Sequence, residues 1–277
     1  MALFFGSQAG SPALAAGKVE TYQDLIEKAY NLSLQKDRLQ AVNLLVSAAQ
    51  RESKKGQTPK ELLTALDEVS TVFYSDKAQQ AFELALSLRV TDPGLANTKL
   101  TEAARIEPDN LQILLEQFRL QIAGGDCDGA HRGAQKALDR NPFPEDLRLA
   151  AAQAALCAGR LQDFQTLRSA IDAKKSPREI FWLALDLEQS HRTSNFGRGR
   201  ELSVQLSKAD TAFPEAFYWL WKFNQGLKIP DERAGTKYLA LCKSLSSRLT
   251  RQYLAEPRLC RRQAEVEAEI KKSRVTE

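Results

Sequence analysis

Histidine occurs only twice in this chain, at His131 and His191, and neither stands beside a plausible nucleophile. The sequence has no H-E-x-x-H, no G-x-S-x-G and no P-loop, so the common routes to zinc hydrolysis, acyl transfer and phosphate cradling are missing. Gly197-Arg198-Gly199-Arg200 is too short for a phosphate-binding glycine loop. Asp186 and Glu188 are two apart on an expected helix and so point to different faces. No apolar run reaches about 18 residues, which excludes a transmembrane helix by this criterion. β-branched residues are sparse and do not alternate, so no strand is expected. The net charge is only +4, with acidic residues among the basic ones, which argues against nucleic-acid binding. These absences predict a protein that is not an enzyme and that needs no cofactor or metal.

What remains is helical. The stretch 111–142, LQILLEQFRLQIAGGDCDGAHRGAQKALDRNP, reads as two amphipathic helices joined by a Gly-Gly-Asp turn. The first carries Leu114, Leu115, Phe118 and Ile122 at helical spacing and stops at Gly124-Gly125. Asp126 caps the second, whose face holds Ala130, Ala134, Ala137 and Leu138. Further helices are predicted over 22–35, 39–52, 60–74, from Ser75 or Asp76 onward, and over 95–106. After the opening pair they continue over 145–158, 161–173, 178–190, 198–210, 215–227, 231–249 and 255–273. Turns are expected at Ala158-Gly159, 174–177, 212–214 and 229–230, with a longer loop from His191 to Gly199.

The prolines that end helices sit at Pro108, Pro142, Pro177 and Pro214, at spacings of 34, 35 and 37. A period near 34 with two helices per unit is the tetratricopeptide length. In the unit 111–144, Gly125 falls at the repeat's turn glycine, Ala130 and Ala137 at its small residues, and Pro142 at its closing proline. Trp182 and Trp219 each follow a helix-ending proline by five residues, the slot of the consensus tryptophan. Over about residues 20–227 the chain therefore resembles the tetratricopeptide-repeat superfamily, with degenerate repeats. The resemblance implies an all-α, right-handed superhelical solenoid of antiparallel helix pairs. The polar-faced last helix implies a C-terminal helical cap.

The expected organisation is an arm or signal-peptide remnant over 1–18, an N-terminal hairpin over 20–52, a solenoid over 59–227, and capping helices over 231–277. Repeats of this kind hold an extended peptide or a partner helix in a concave groove through the first helix of each pair. Carried onto this sequence, the groove positions are Gln112, Leu115, Arg119 and Ile122, then Asp146, Leu149 and Gln153. The implied function is a non-catalytic scaffold or adaptor for a protein or peptide partner. The alternative is a helical accessory domain of the cell envelope that recognises a glycan or supports an envelope enzyme.

Two clusters bear on that alternative. The basic stretch 191–200 offers Arg192, Arg198 and Arg200 around Phe196 as an anion contact, or is simply a solvated connection. Tyr218 and Trp221 share a helix face that is either a ligand platform or the seam with the cap. The four cysteines lack C-x-x-C spacing, so neither a zinc nor a redox motif is expected. Cys127 starts one helix and Cys157 ends the next, which places both on one edge of an antiparallel stack. Cys242 and Cys260 flank a turn expected near Arg251. Two disulfide pairs would follow, and with the A-x-A-like Ala13-Leu14-Ala15 they point to a periplasmic or otherwise exported protein, with the cytoplasm as the alternative.

Overall fold

The computed structural model describes residues 20–89, 91–171, 176, 178–229, 231–247, 259, 260 and 262–276. Every regular element among them is a helix. They are α1 (Tyr22–Leu34), α2 (Arg38–Ser53), α3 (Lys60–Thr71), α4 (Asp76–Leu88), α5 (Pro93–Ile106), α6 (Leu111–Ala123) and α7 (Cys127–Arg140). There follow α8 (Glu145–Cys157), α9 (Leu161–Ser169), α10 (Glu179–Arg192), α11 (Phe196–Ala209), α12 (Pro214–Gly226), α13 (Glu232–Ser247) and α14 (Gln263–Thr276). No described helix is long and apolar enough to cross a membrane. The expectations for residues 1–18 lie outside the described residues. So do those for 172–175, Pro177, Pro230, the turn near Arg251 and the stretch 255–258.

Local chemistry sets the helix starts. Thr21 and Asp24 form a reciprocal capping box on α1. Asp37, Ser75, Asp92, Asn110 and Asp126 each accept a backbone N–H at the start of the next helix. Gly125 and Gly159 take left-handed φ values of 85° and 72° in the turns after α6 and α8, where a Cβ would be strained.

The helices pack largely in chain order as a stack of antiparallel pairs. Short connections join α1 to α2, α6 to α7, α8 to α9, α10 to α11 and α12 to α13, and each pair packs together. First helices also meet one another along the row α6, α8, α10 and α12. The Ala-rich α8 is buried on nearly every side, as its lack of a polar face requires: Leu147, Leu149, Ala151, Ala154 and Leu156 are all at most 1% exposed.

The first five helices depart from this order. Leu62, Ala65, Leu66 and Val69 of α3 share one core with Leu25, Ala29, Ala41 and Leu45 of α1 and α2. On its other side α3 touches α6, while α4, next in the chain, packs on α5. That α4–α5 pair covers a different face of α6, through Phe82, Ala85, Leu100 and Ile113. A buried ion pair fixes the junction: Arg38 Nη2 lies 2.6 Å from Glu107 Oε2, both side chains 5% exposed. Arg38 also donates to the carbonyls of Val69 and Val72. These bonds take the carbonyls at the end of α3, and the extended Val72 stops the helix three residues before the expected Tyr74.

The other boundaries shift for similar reasons. Pro93 opens α5 at its first turn, where its missing N–H is no loss, instead of ending a break before Leu95. The expected loop 191–199 shrinks to Thr193, Ser194 and Asn195, because α11 begins at Phe196. The last helix begins at Gln263 rather than 255: Leu259 and Cys260 are non-helical, and Cys260 has a φ of 60°.

The cap closes on α12. Tyr218, Trp219, Trp221 and Phe223 are buried with Tyr238 of α13 and Val266 and Ile270 of α14. The Arg262 guanidinium lies 4.5 Å and 4.6 Å from the Tyr218 and Trp219 rings. Glu215 accepts the Cys260 N–H at 2.9 Å.

Candidate functional site

The face made by first helices carries an open groove of about 390 Å³. Asp67 and Thr71 enter it from α3, Gln112 from α6, Glu145 and Asp146 from α8, and Arg178 from the residue capping α10. Several of these groups are already oriented. Gln112 donates its amide N–H to the Thr71 carbonyl at 3.2 Å. Arg178 pairs with Asp146 at 2.8 Å, both side chains more than one third exposed. Glu145 accepts the Trp182 indole N–H at 2.9 Å and so ties the groove wall to the next unit. Partial burial, then the charges of Asp146 and Glu68, push the Asp67 carboxyl above the usual range. The wall is therefore acidic in balance, with one arginine among three carboxylates.

The positions expected to line this groove divide. Gln112, Leu115 and Asp146 do line it. Leu115 and Ile122, however, are only 8% and 9% exposed and belong to the core between α6, α7 and α8. Leu149 and Gln153 are 1% and 6% exposed, closed in by the packing around α8. Arg119 sits 3.2 Å from Glu116, so its charge already has a carboxylate partner. Glu116 is itself buried and also faces Arg89 at 3.5 Å.

The basic stretch 191–200 is mostly helical, and two of its three arginines are committed separately. Arg192 pairs with Glu188 one turn back on α10 at 3.0 Å. Arg200 donates to the Asn224 side-chain oxygen at 2.8 Å. Arg198 is exposed on α11. Gly199 is buried, because a Cβ there would lie 2.2 Å from the Phe223 ring. Tyr218 and Trp221 are each 3% exposed and form the seam with the cap.

Both cysteine pairs lie at disulfide distance. Cys127 and Cys157 have Cα atoms 5.4 Å apart, and Cys242 and Cys260 5.5 Å. The first joins the start of α7 to the end of α8, and the second ties α13 to the segment before α14. Among the described residues no group of three His, Cys, Asp or Glu side chains could hold a metal ion.

A larger depression, of about 590 Å³, escaped the sequence reading. It lies between α2 and α7, with α6 and the end of α3 as its floor. Its residues are far apart in sequence and come together only because α4 and α5 leave the row. Leu39, an apolar residue at the start of α2, lines it and is 44% exposed.

No protein-family model matches the chain, and no curated protein does. Among solved structures, the crystal structure of a tetratricopeptide repeat protein from Parabacteroides merdae is similar to it, with 16% sequence identity and a TM-score of 0.46 over 85% of this chain and 96% of that one.

Proposed function

We propose that the chain is a non-catalytic scaffold or adaptor that holds a protein or peptide partner along the groove of its first helices. The observation that carries this reading is the groove itself. It is an open surface to which α3, α6, α8 and the start of α10 each contribute polar side chains, some fixed by bonds across units. An extended ligand laid across it would meet one unit after another, with Asp67 and Asp146 favouring a basic side chain and Gln112 supplying an amide. The site of action we propose is outside the cytoplasm, in the periplasm or a comparable oxidising compartment. The two cysteine pairs support it. The glycan reading loses its aromatic platform, since Tyr218 and Trp221 are buried under the cap.

The test is site-specific photocrosslinking in the native cell, with the crosslinker at Gln112 and a control at the exposed Gln135 on α7. One discrete adduct is expected at Gln112, absent at Gln135 and lost when Asp146→Lys reverses the groove charge. Equal labelling at both positions, or an adduct indifferent to Asp146→Lys, would refute groove binding.

A further inference from the structure

We propose that the depression between α2 and α7 is a docking trough for a helix of a partner protein, an amphipathic helix with a carboxylate beside its apolar stripe. It lies away from the groove treated above and stands independently of it. The position of the trough in the fold defines the shape of its occupant. In the pair α6–α7, the second helix packs against its own first helix and against α8, the first helix of the next unit. The corresponding place beside α3 and α6 would belong to the helix after α3. That helix, α4, packs instead on α5. The trough is thus bounded by two second helices, α2 and α7, and floored by two first helices, α3 and α6, as a second-helix slot would be.

Its dimensions and chemistry fit a short helix. From Leu111 to Gln121 along α6 is about 15 Å, and from Gly129 to Arg140 along α7 about 17 Å, or roughly three helical turns. Leu39 and Val42 on α2 and Leu114 on α6 give apolar contact. Gly133 and Ala137 keep the α7 wall low, so a helix backbone can approach. The charges at the trough select the sign of the occupant. Arg38 is paired with Glu107, and Arg140 with Asp109 at 2.8 Å. Lys136 is exposed on the α7 rim, with no ion pair among the described residues. One uncompensated cation beside an apolar channel calls for a carboxylate flanking the stripe.

The experiment uses the full chain and two stapled helical peptides of about twelve residues. They share one Leu/Ala stripe and differ in carrying Glu or Lys beside it. Fluorescence anisotropy should show saturable 1:1 binding of the Glu peptide, with the Lys peptide about three- to tenfold weaker. Lys136→Glu should invert that preference. Leu39→Glu should weaken binding about tenfold or more, while Leu84→Glu, at a similarly exposed leucine on α4, should leave it unchanged. Leu39 and Lys136 are surface positions, and an unchanged circular dichroism melt establishes that each variant folds. The proposal is overturned by absent saturable binding, by binding that survives Leu39→Glu, or by a preference that ignores Lys136→Glu. A concentration-dependent dimer abolished by Leu39→Glu would assign the trough to a second copy. Peptide binding seen only after deletion of residues 1–18 would assign it to the chain's own start. Either result also overturns the proposal.

Discussion

Removing the Arg38 guanidinium should be among the most damaging single changes in the N-terminal half, and Glu107→Ala should be at least as bad. Arg38 makes four contacts: Glu107 Oε2 at 2.6 Å, the carbonyls of Val69 and Val72, and the Tyr74 ring at 4.3 Å. Arg38→Ala strands a buried carboxylate, for which a cost of about 3–5 kcal/mol is typical. Glu107 nonetheless keeps the N–H groups of Tyr74 and Ser75, both at 2.8 Å, and the Asn110 amide at 3.4 Å. Those donors still solvate the charge and place Arg38→Ala near the lower end, at about 3 kcal/mol. Glu107→Ala strands the arginine and two backbone N–H groups together, and belongs nearer the upper end. A loss of that size lowers the melting temperature by roughly 6–20 °C in a chain of this length. The double variant Arg38→Met/Glu107→Gln leaves no buried charge and retains an acceptor for the two N–H groups, so it should cost less than either single change. Urea unfolding followed by circular dichroism measures all three. A single-variant loss below about 1 kcal/mol, or strict additivity in the double, would show that the junction is not held as described.

Three further outcomes are expected. Gly199→Ala should destabilise by about 1–3 kcal/mol, because its Cβ would enter the buried Phe223 ring, whereas Gly197→Ala, with nothing within 4 Å, should be neutral or stabilise by up to about 1 kcal/mol; equal melting shifts would refute the packing argument. His191 packs among Phe196, Trp219 and Phe223, and burial first, then Lys222, Arg262 and Arg192, hold its pKa below 6.5 against the pull of Glu265. The unfolded chain binds that proton more readily, so stability should fall as pH drops below 6.5, and His191→Gln should flatten that slope in melts recorded against pH. Cysteine pairs closing separations of 30 and 18 residues should each contribute about 3–4 kcal/mol, so a reductant should lower the urea midpoint, and thiol counting on unfolded, unreduced protein should find no free thiol.

The parts of the fold written in local chemistry were legible. Asp126 with Gly125 marked the turn between α6 and α7, and the antiparallel packing of α7 on α8, broken at Asn141-Pro142, was enough to pair Cys127 with Cys157. Trp182 and Trp219 stood in slots that the repeat buries, and both are buried. What local pattern cannot carry is packing between distant segments. Gly199 read as the seam between the expected 191–199 loop and 198–210 helix, and nothing near it announces that Phe223, far along the chain, fills the space its Cβ would take. The groove positions illustrate the same limit. A regular repeat would open Ile122, Leu149 and Gln153 to the groove, but neighbouring helices close over them, leaving Gln112 and Asp146 at the surface. Arg38 and Glu107 lie 69 residues apart, and nothing near either announces the other.

The way α3 skips α4 also sets a timetable for the chain as it is made. Its first unit is secured by Arg38 to Glu107 and by Ser70 to Asn141, partners 69 and 71 residues downstream. At synthesis rates of 5–20 residues per second, that delay is roughly 4–14 s after the N-terminal segment emerges. During it, α1 to α3 hold an incomplete core with the end of α3 untied. This unit is therefore made early and closed late, by residues that follow it at a distance.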